Sequence, residues 1–212
     1  GVKILHITDN IIYLNGRETD RRELESIIFS LDNSIITEYI EQGEYSYKLY
    51  PGSTNTMRIV AMVDPDTHRP FIAGAAQRIG GNASGGLDNF AQGGYSAGID
   101  LDSGELSAAV TRLETQNLIW HDIHPDTGSQ IKGVKVPGWH NIIHRLLSMM
   151  EELPYIKYVG WDVVLADDND IVVIEGNSYP QPRVIQLHTP LLKNDQIRKF
   201  YRHYGIIKDH VS

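Results

Sequence analysis

The 212-residue chain contains no cysteine, so disulfide bonds, thiolate metal sites and thiol nucleophiles are all excluded. No apolar run approaches the roughly 20 residues of a membrane-spanning helix. The opening GVKILHITDN lacks the basic-then-apolar order of a secretory leader. Positive charge is in deficit: 19 lysines and arginines face 27 aspartates and glutamates, a net of −8. A general binder of nucleic acid or anionic membrane needs a basic surface, so neither partner is expected. An anionic small molecule stays open, because a local site can supply its own cation. Internal repeats and low-complexity linkers are also missing. What remains is a 41% hydrophobic composition, enough for one substantial core, and a cytoplasmic domain is the expectation.

Residues Val2–Ile7 and Ile11–Leu14 read as short strands, with Asn15-Gly16 as a turn. Asp20 to Glu23 has the form of a capping box opening a helix through about Leu31. Ile35–Ile40 reads as a strand running into acidic, polar sequence. Thr56–Val63 and Phe71–Ile79 flank a PDTHRP turn and read as a hairpin. Two further strands are expected near Ala97–Leu101 and Glu105–Arg112. Pro137-Gly-Trp139 introduces a helix to about Leu153, with Ile142, Ile143, Leu146, Leu147 and Met150 at helical spacing. A last helix is expected over Leu191–Tyr204. Hairpins with interspersed helices, and no βαβ alternation, predict an α+β fold built on a mainly antiparallel sheet.

The segment GWDVVLADDNDIVVIEGN, Gly160–Asn177, carries the sharpest chemical pattern. A tight turn at Asp168-Asn169 places Ala166 opposite Ile171, Val164 opposite Val173 and Asp162 opposite Glu175. Alternation then puts Asn177 on the face of Glu175. Directly opposed side chains lie about 4.5–5.5 Å apart at Cβ, where like charges repel. A divalent cation relieves that repulsion, and two carboxylates with an amide oxygen make a hard donor set suited to Mg²⁺ and phosphate. The plainer alternative is two solvated acids at strand ends. Asp167, Asp168 and Asp170 read as a solvated turn.

An Asp on one strand followed by Glu-Gly-Asn on the next resembles the magnesium site of ATP-grasp ligases. The closest resemblance is to a sugar-transfer-associated, glutamate-ligase-related branch of that superfamily. It is carried by Asn55-Thr-Met-Arg58, Arg78-Ile-Gly-Gly, Asp88-Asn89 with Gly93-Gly94, His124-Pro-Asp-Thr-Gly128, Pro137-Gly-Trp139, Gly160-Trp-Asp162 and Glu175-Gly-Asn177. The resemblance implies that Asp162, Glu175 and Asn177 hold Mg²⁺ against ATP phosphates. It makes Ile36–Ile40 a hinge strand, with Glu38, Tyr39 and Ile40 lining the adenine pocket and either Glu41 or Glu44 taking the ribose hydroxyls. Arg58 and Arg78 would neutralise the transferring phosphoryl group or the acyl phosphate, since phosphoryl transfer is catalysed mainly by positioning and charge. An arginine on a buried strand is costly without an anionic partner. The alternatives are projection to solvent or pairing with a structural carboxylate.

The stretch RIGGNASGGLDNFAQGG, from Arg78 to Gly94, is rich in glycine. Glycine lets backbone N–H groups approach phosphates, although no P-loop lysine follows. A mobile lid is the other reading, with Asn89 as its best polar contact. Trp139 and Trp161 read as core aromatics or as walls of an acceptor pocket.

The lysine strand and phosphate loop of an ATP-grasp small subdomain have no counterpart in VKILHIT. The expectation is therefore a C-terminal fragment of a longer ligase. Residues to about 44 would be a remnant of the small subdomain and hinge, and about 45–212 the large metal-binding subdomain. The expected function is activation of a small-molecule carboxylate by ATP and Mg²⁺ for attack by an amine or other nucleophile. Two alternatives belong to other classes. One is a non-catalytic nucleotide-binding module; the other is a metal-dependent hydrolase using His121, Asp122, His124 and Asp126.

Overall fold

The computed structural model describes residues 3–85, 87–112, 117–166 and 170–208. They fall into two compact units, Gly1–Tyr39 and Ile40–Ser212.

In the first unit, β1 (Leu5–Thr8), β2 (Ile11–Leu14) and β3 (Arg17–Thr19) form an antiparallel sheet in chain order. Its turns fall at Asp9-Asn10 and Asn15-Gly16. All four residues have positive φ, a backbone state that Asn, Asp and Gly tolerate and that suits tight hairpins. β3 is an addition to the sequence expectation. Helix α1 (Arg21–Ser30) opens at Asp20, whose Oδ1 accepts the Glu23 N–H at 2.8 Å. The Glu23 carboxylate accepts from the Thr19 hydroxyl at 2.6 Å, so a side chain substitutes for the backbone half of the capping box.

No strand or helix forms from residue 31 to 43, which corrects the expected hinge strand over Ile36–Ile40. A strand is stabilised by a neighbour that takes its N–H and C=O groups, and this run enters no ladder. Ile35 and Ile36 are 89% and 75% exposed. Helix α2 (Glu44–Leu49) follows, an addition to the sequence expectation.

The second unit is a seven-stranded sheet whose neighbours are all antiparallel. Its strands are β4 (Met57–Val63), β5 (Pro70–Ile79), β6 (Tyr95–Ile99), β7 (Leu106–Arg112), β8 (Leu118–His121), β9 (Tyr158–Leu165) and β10 (Ile171–Asn177), in the order β10-β9-β4-β5-β6-β7-β8. Alternation along the strands divides the core in two. One face presents Met57, Ile59, Ala61, Val159, Trp161 and Val163 to helix α3 (Trp139–Glu152), whose buried Trp139, Ile142, Leu146 and Met150 have the expected helical spacing. Trp139 and Trp161 both belong to this core. The other face presents Val60, Met62 and Ala76 to the C-terminal segment.

That segment is not one continuous helix. A four-residue helix α4 (Arg183–Gln186) and a short 3₁₀ turn precede α5 (Asp195–His203). Asn194 starts α5 by accepting from Gln196 and Ile197 N–H with its side chain, the ordinary chemistry of an N-cap. Ile197, Phe200 and Tyr201 bury its inner face. Burying a phenylalanine side chain such as Phe200 is worth about 1.5–3 kcal/mol. Ile185 of α4 seats in a notch at Gly74, where an added Cβ would overlap its Cγ2 methyl.

The notch yields a test of how the C-terminal segment is held. Gly74→Ala is expected to lower stability by about 1–3 kcal/mol through overpacking, read as a shifted urea midpoint at constant slope. An unchanged midpoint would show that Ile185 is not seated there.

Candidate active site

The polar part of the second face is built by strand register. Glu175 on β10 pairs with Asp162 on β9, Asp162 pairs with Arg58 on β4, and Arg58 pairs with Ala76 on β5. Paired residues share a face, so these side chains form one row across four strands. Arg78 lies two residues beyond Ala76 on β5, on the same face, and reaches Asp162 on β9.

The register at Glu175 is the expected one, but the rest of the hairpin reaches it differently. Ile171 faces Leu165 rather than Ala166, and Val173 faces Val163 rather than Val164. A bulge between Val173 and Glu175 restores the Asp162–Glu175 pairing, as an extra residue in one strand does. The Asp168-Asn169 turn itself lies outside the described residues. Asp170 is salt-bridged to Arg145 at 2.5 Å rather than merely solvated.

Asp162 is 5% exposed and is held by two guanidiniums. Arg58 donates through Nε to Oδ1 and through Nη2 to Oδ2, the latter at 2.8 Å. Arg78 Nη1 donates to Oδ2 at 3.0 Å. The far edge of Arg78 is held by Asp88, with Nη2 on Oδ1 at 2.9 Å and Nε on the backbone carbonyl at 3.4 Å. Asp88 also accepts from the Thr56 N–H at 2.8 Å and the Thr56 hydroxyl at 2.5 Å. The arginine side chains are only 17% and 18% exposed. Each guanidinium carries five N–H donors. Arg58 directs two and Arg78 three at these partners, which leaves five donors without a partner among the described residues. Two half-hidden cations with spare donors make a ready anion site.

On β10, Asn177 Nδ2 donates to Glu175 Oε1 at 2.9 Å. Glu175 Oε2 and Asn177 Oδ1 have no partner among the described residues. Asp162 already accepts three N–H bonds, and a carboxylate has about four lone-pair positions. Glu175 Oε2 and Asn177 Oδ1 are hard oxygens of the kind a divalent cation takes, while Asp162 is engaged by the two guanidiniums. Among the described residues, no three His, Asp or Glu side chains come together in a group that could hold a metal ion, here or elsewhere; this site has two acids and an amide.

The glycine-rich stretch folds into two short 3₁₀ turns, Asn82–Ser84 and Phe90–Gln92. The Asn89 side-chain oxygen caps the second by accepting the Ala91 N–H at 3.0 Å. Glu38 and Tyr39 lie in the first unit; Ile40, Glu41 and Glu44 begin the second. Glu44 is paired with Lys48 at 2.6 Å on the exposed side of α2, and that partner lowers its pKa.

The histidine-based hydrolase site is corrected by the structure. His124 is fully buried. Its Nδ1 accepts the Asp126 N–H at 3.2 Å, which places the ring proton on Nε2, in contact with Gly80 O at 2.9 Å. Its ring stacks on Tyr50 at 5.2 Å. Asp126 Oδ2 accepts the Asn82 N–H at 2.8 Å, while Asp122 faces Lys132 on the surface. His124 is therefore a brace between loops with both nitrogens in use.

Two residues of the face escaped sequence reading. Asp88 stood in a recognisable motif without an evident role. His188 stood in no pattern at all, yet its Nε2 lies 3.1 Å from Ser96 Oγ and its Nδ1 3.2 Å from Ser107 Oγ. Its ring meets Trp120 edge-on at 5.5 Å, and Gly98 leaves the room beneath it. Burial pushes its pKa down from 6.5 to about 4, against a smaller upward effect of the Ser96 backbone.

Compared with known protein families, the chain matches the model of the sugar-transfer-associated ATP-grasp family over residues 2–198. The chain belongs to that family. This sugar-transfer-associated ATP-grasp chain is a ligase-type, ATP-dependent domain, and its α+β architecture agrees with the membership. Neither curated proteins nor solved structures give a match. Among the described residues of this ATP-grasp domain, no helix is long and apolar enough to cross a membrane.

Two outcomes are expected. Asp162→Ala leaves two guanidiniums facing each other without their shared anion, and should cost about 3–5 kcal/mol in chemical denaturation, with Arg78→Ala milder. Equal, small losses would mean that the network is not a structural element. His188 should make stability pH-dependent: its folded pKa of about 4 lies below the ordinary 6.5, so its contribution is present above 6.5 and lost as pH falls towards 4. His188→Gln should flatten the fall in stability across that window.

Proposed function

We propose that this domain activates a substrate carboxylate as an acyl phosphate and passes it to an amine or another nucleophile. The observation that carries this reading is the partly buried Arg58–Arg78 pair, joined on Asp162 beside the exposed Glu175 and still holding unused donors. Family membership supplies the ATP-dependent, ligase-type frame; the acyl phosphate and the residue roles are the proposal.

In the reaction, a carboxylate oxygen of the substrate attacks the γ-phosphorus of ATP. The bond from that phosphorus to the bridging oxygen breaks, and ADP departs with the electron pair. The nucleophile then attacks the acyl carbon, the carbon–oxygen bond to phosphate breaks, and phosphate leaves as the amine gives up a proton. Negative charge gathers on the phosphoryl oxygens during transfer, and the free N–H groups of Arg58 and Arg78 would donate to those oxygens. Such preorganised donors need no rearrangement at the moment of reaction, and removing one typically costs about 10²–10³ in rate. When bound, Mg²⁺ would add charge neutralisation at the same oxygens, held by Asp162, Glu175 and Asn177.

Asp162 then has two tasks. It keeps both guanidiniums in place, and its remaining lone pair would serve the cation. Glu38, Tyr39 and Ile40, with Glu41 or Glu44 on the ribose, belong to the same proposal as the adenosine-binding stretch. Asn89 is proposed separately, as a polar contact offered by the glycine-rich turn.

Titration of Mg·ATP into the wild-type chain and a Glu175→Gln variant tests the reading. We expect at least about tenfold weaker binding in the variant, the cost of losing one charged contact, and slower ADP release with a carboxylate present. Equal affinity and equal ADP release in the two proteins would overturn the assignment. ATP binding without ADP release in the presence of any acid would favour a non-catalytic nucleotide-binding module.

A further inference from the structure

Beyond Asn177, the chain leaves β10 and crosses the same face of the sheet as Ser178–Lys193. This stretch contains Arg183, His188 and Lys193 but no acidic residue, in a chain whose net charge is −8. It is anchored at three points. Pro180 covers Gly160, where an added Cβ would lie 2.6 Å from Pro180 Cβ and 3.3 Å from Arg58 Cδ. Ile185 fills the Gly74 notch, and His188 is held between Ser96 and Ser107. The carbonyl of Pro180 also accepts from Tyr158 at 3.3 Å.

Between these anchors lies an open cavity of about 470 Å³, lined by Gln181, Pro182, Arg183, Gln186 and Leu187. Small-molecule sites commonly measure about 300–1,000 Å³ and combine an apolar lining with a few placed polar groups. Pro182 and Leu187 supply the apolar part here. The side chains of Gln181, Arg183 and Gln186 have no hydrogen-bond or ion-pair partner among the described residues. A guanidinium matches a carboxylate in a two-point geometry, and the two carboxamides can donate or accept beside it.

Pro180 relates the cavity to the arginine row, since it touches the same point of β9 as Arg58 and is followed directly by Gln181. An acid with one carboxylate at Arg58 and Arg78 would reach Arg183 by passing Pro180. We propose that this cavity is a subsite for a second anionic group of the substrate, which makes the preferred substrates diacids. The inference rests on the reading of Arg58 and Arg78 as the activation site. It adds the substrate class, which that reading leaves open. The anchors fix the backbone beneath the subsite, so the ordering that accompanies binding is confined to the exposed side chains of Gln181, Arg183 and Gln186.

Calorimetric titration of the whole chain with glutarate, butyrate and pyrophosphate separates the two ideas. Glutarate and butyrate have similar carbon chains but differ by one carboxylate. We expect wild type to bind glutarate more tightly than butyrate, and Arg183→Gln to weaken glutarate alone by about tenfold or more, the worth of one charge-assisted contact. Pyrophosphate binding should be unaffected by Arg183→Gln and reduced by Arg78→Ala. Equal glutarate affinity in wild type and Arg183→Gln, or no glutarate binding where pyrophosphate still binds, overturns the subsite and leaves the activation site standing. Failure of pyrophosphate to distinguish Arg78→Ala from wild type overturns the reading beneath it. Arg183 is exposed and supports no packing, so an unchanged circular dichroism spectrum is expected for its variant.

Discussion

One carboxylate holding two guanidiniums organises this domain. Asp162 sits on β9, next to the edge strand β10 of a seven-stranded sheet, buried on the face that also carries Val60, Met62 and Ala76. A lone charge there would be driven to neutralise itself, and two arginines without their anion would repel. The three groups are tolerable only together. Their joint requirement fixes which residues β4, β5 and β9 place opposite one another, and Asp88 extends it to the glycine-rich stretch through Arg78 and Thr56. A chain with a charge deficit thus keeps its important positive charge inside, hidden from its own acidic surface.

The same face shows how space is divided between chemistry and packing. Ala76, opposite Arg58 on β5, is small. Glycines stand where the C-terminal segment presses closest: Gly74 under Ile185, Gly98 under His188 and Gly160 under Pro180. Glycine is costly in a strand interior, and here it admits a second layer at short range. The layer stops short of the arginine row, so the row is bordered by packed chain without being covered by it.

Much of this was legible in the sequence, for reasons that can be named. Period-two runs located β4, β5, β9 and β10, and helical spacing located α3, because each buries one face and patterning records burial. The pairing of Asp162 with Glu175 also followed from turn chemistry, although through the wrong intermediate register, since a bulge leaves no mark in a run of Ile and Val. The strand assigned to Ile36–Ile40 failed because propensity cannot supply a partner edge. The partner of Arg58 was foreseeable only as a type: the cost of burying an arginine demands some carboxylate, but nothing local says which. His188 was invisible, since its partners Ser96 and Ser107 lie on strands far away in the chain. Families of motifs carried the identity of the domain where single residues could not.

The bulge on β10 has a consequence for how the motif is spaced. A plain ladder running on from Val173 opposite Val163 would bring the very next residue opposite Asp162. The chain instead interposes Ile174 before Glu175. The interval between the two carboxylates is therefore one residue longer than their meeting requires. Ile174 is slack in the hairpin, half exposed and uninvolved in the pairing on either side. Loss of a residue at that position would turn an irregular ladder into a regular one while the two acids kept their appointment. The spacing that makes the motif recognisable is thus a length with tolerance built in, and the fixed quantity is the cross-strand encounter it produces.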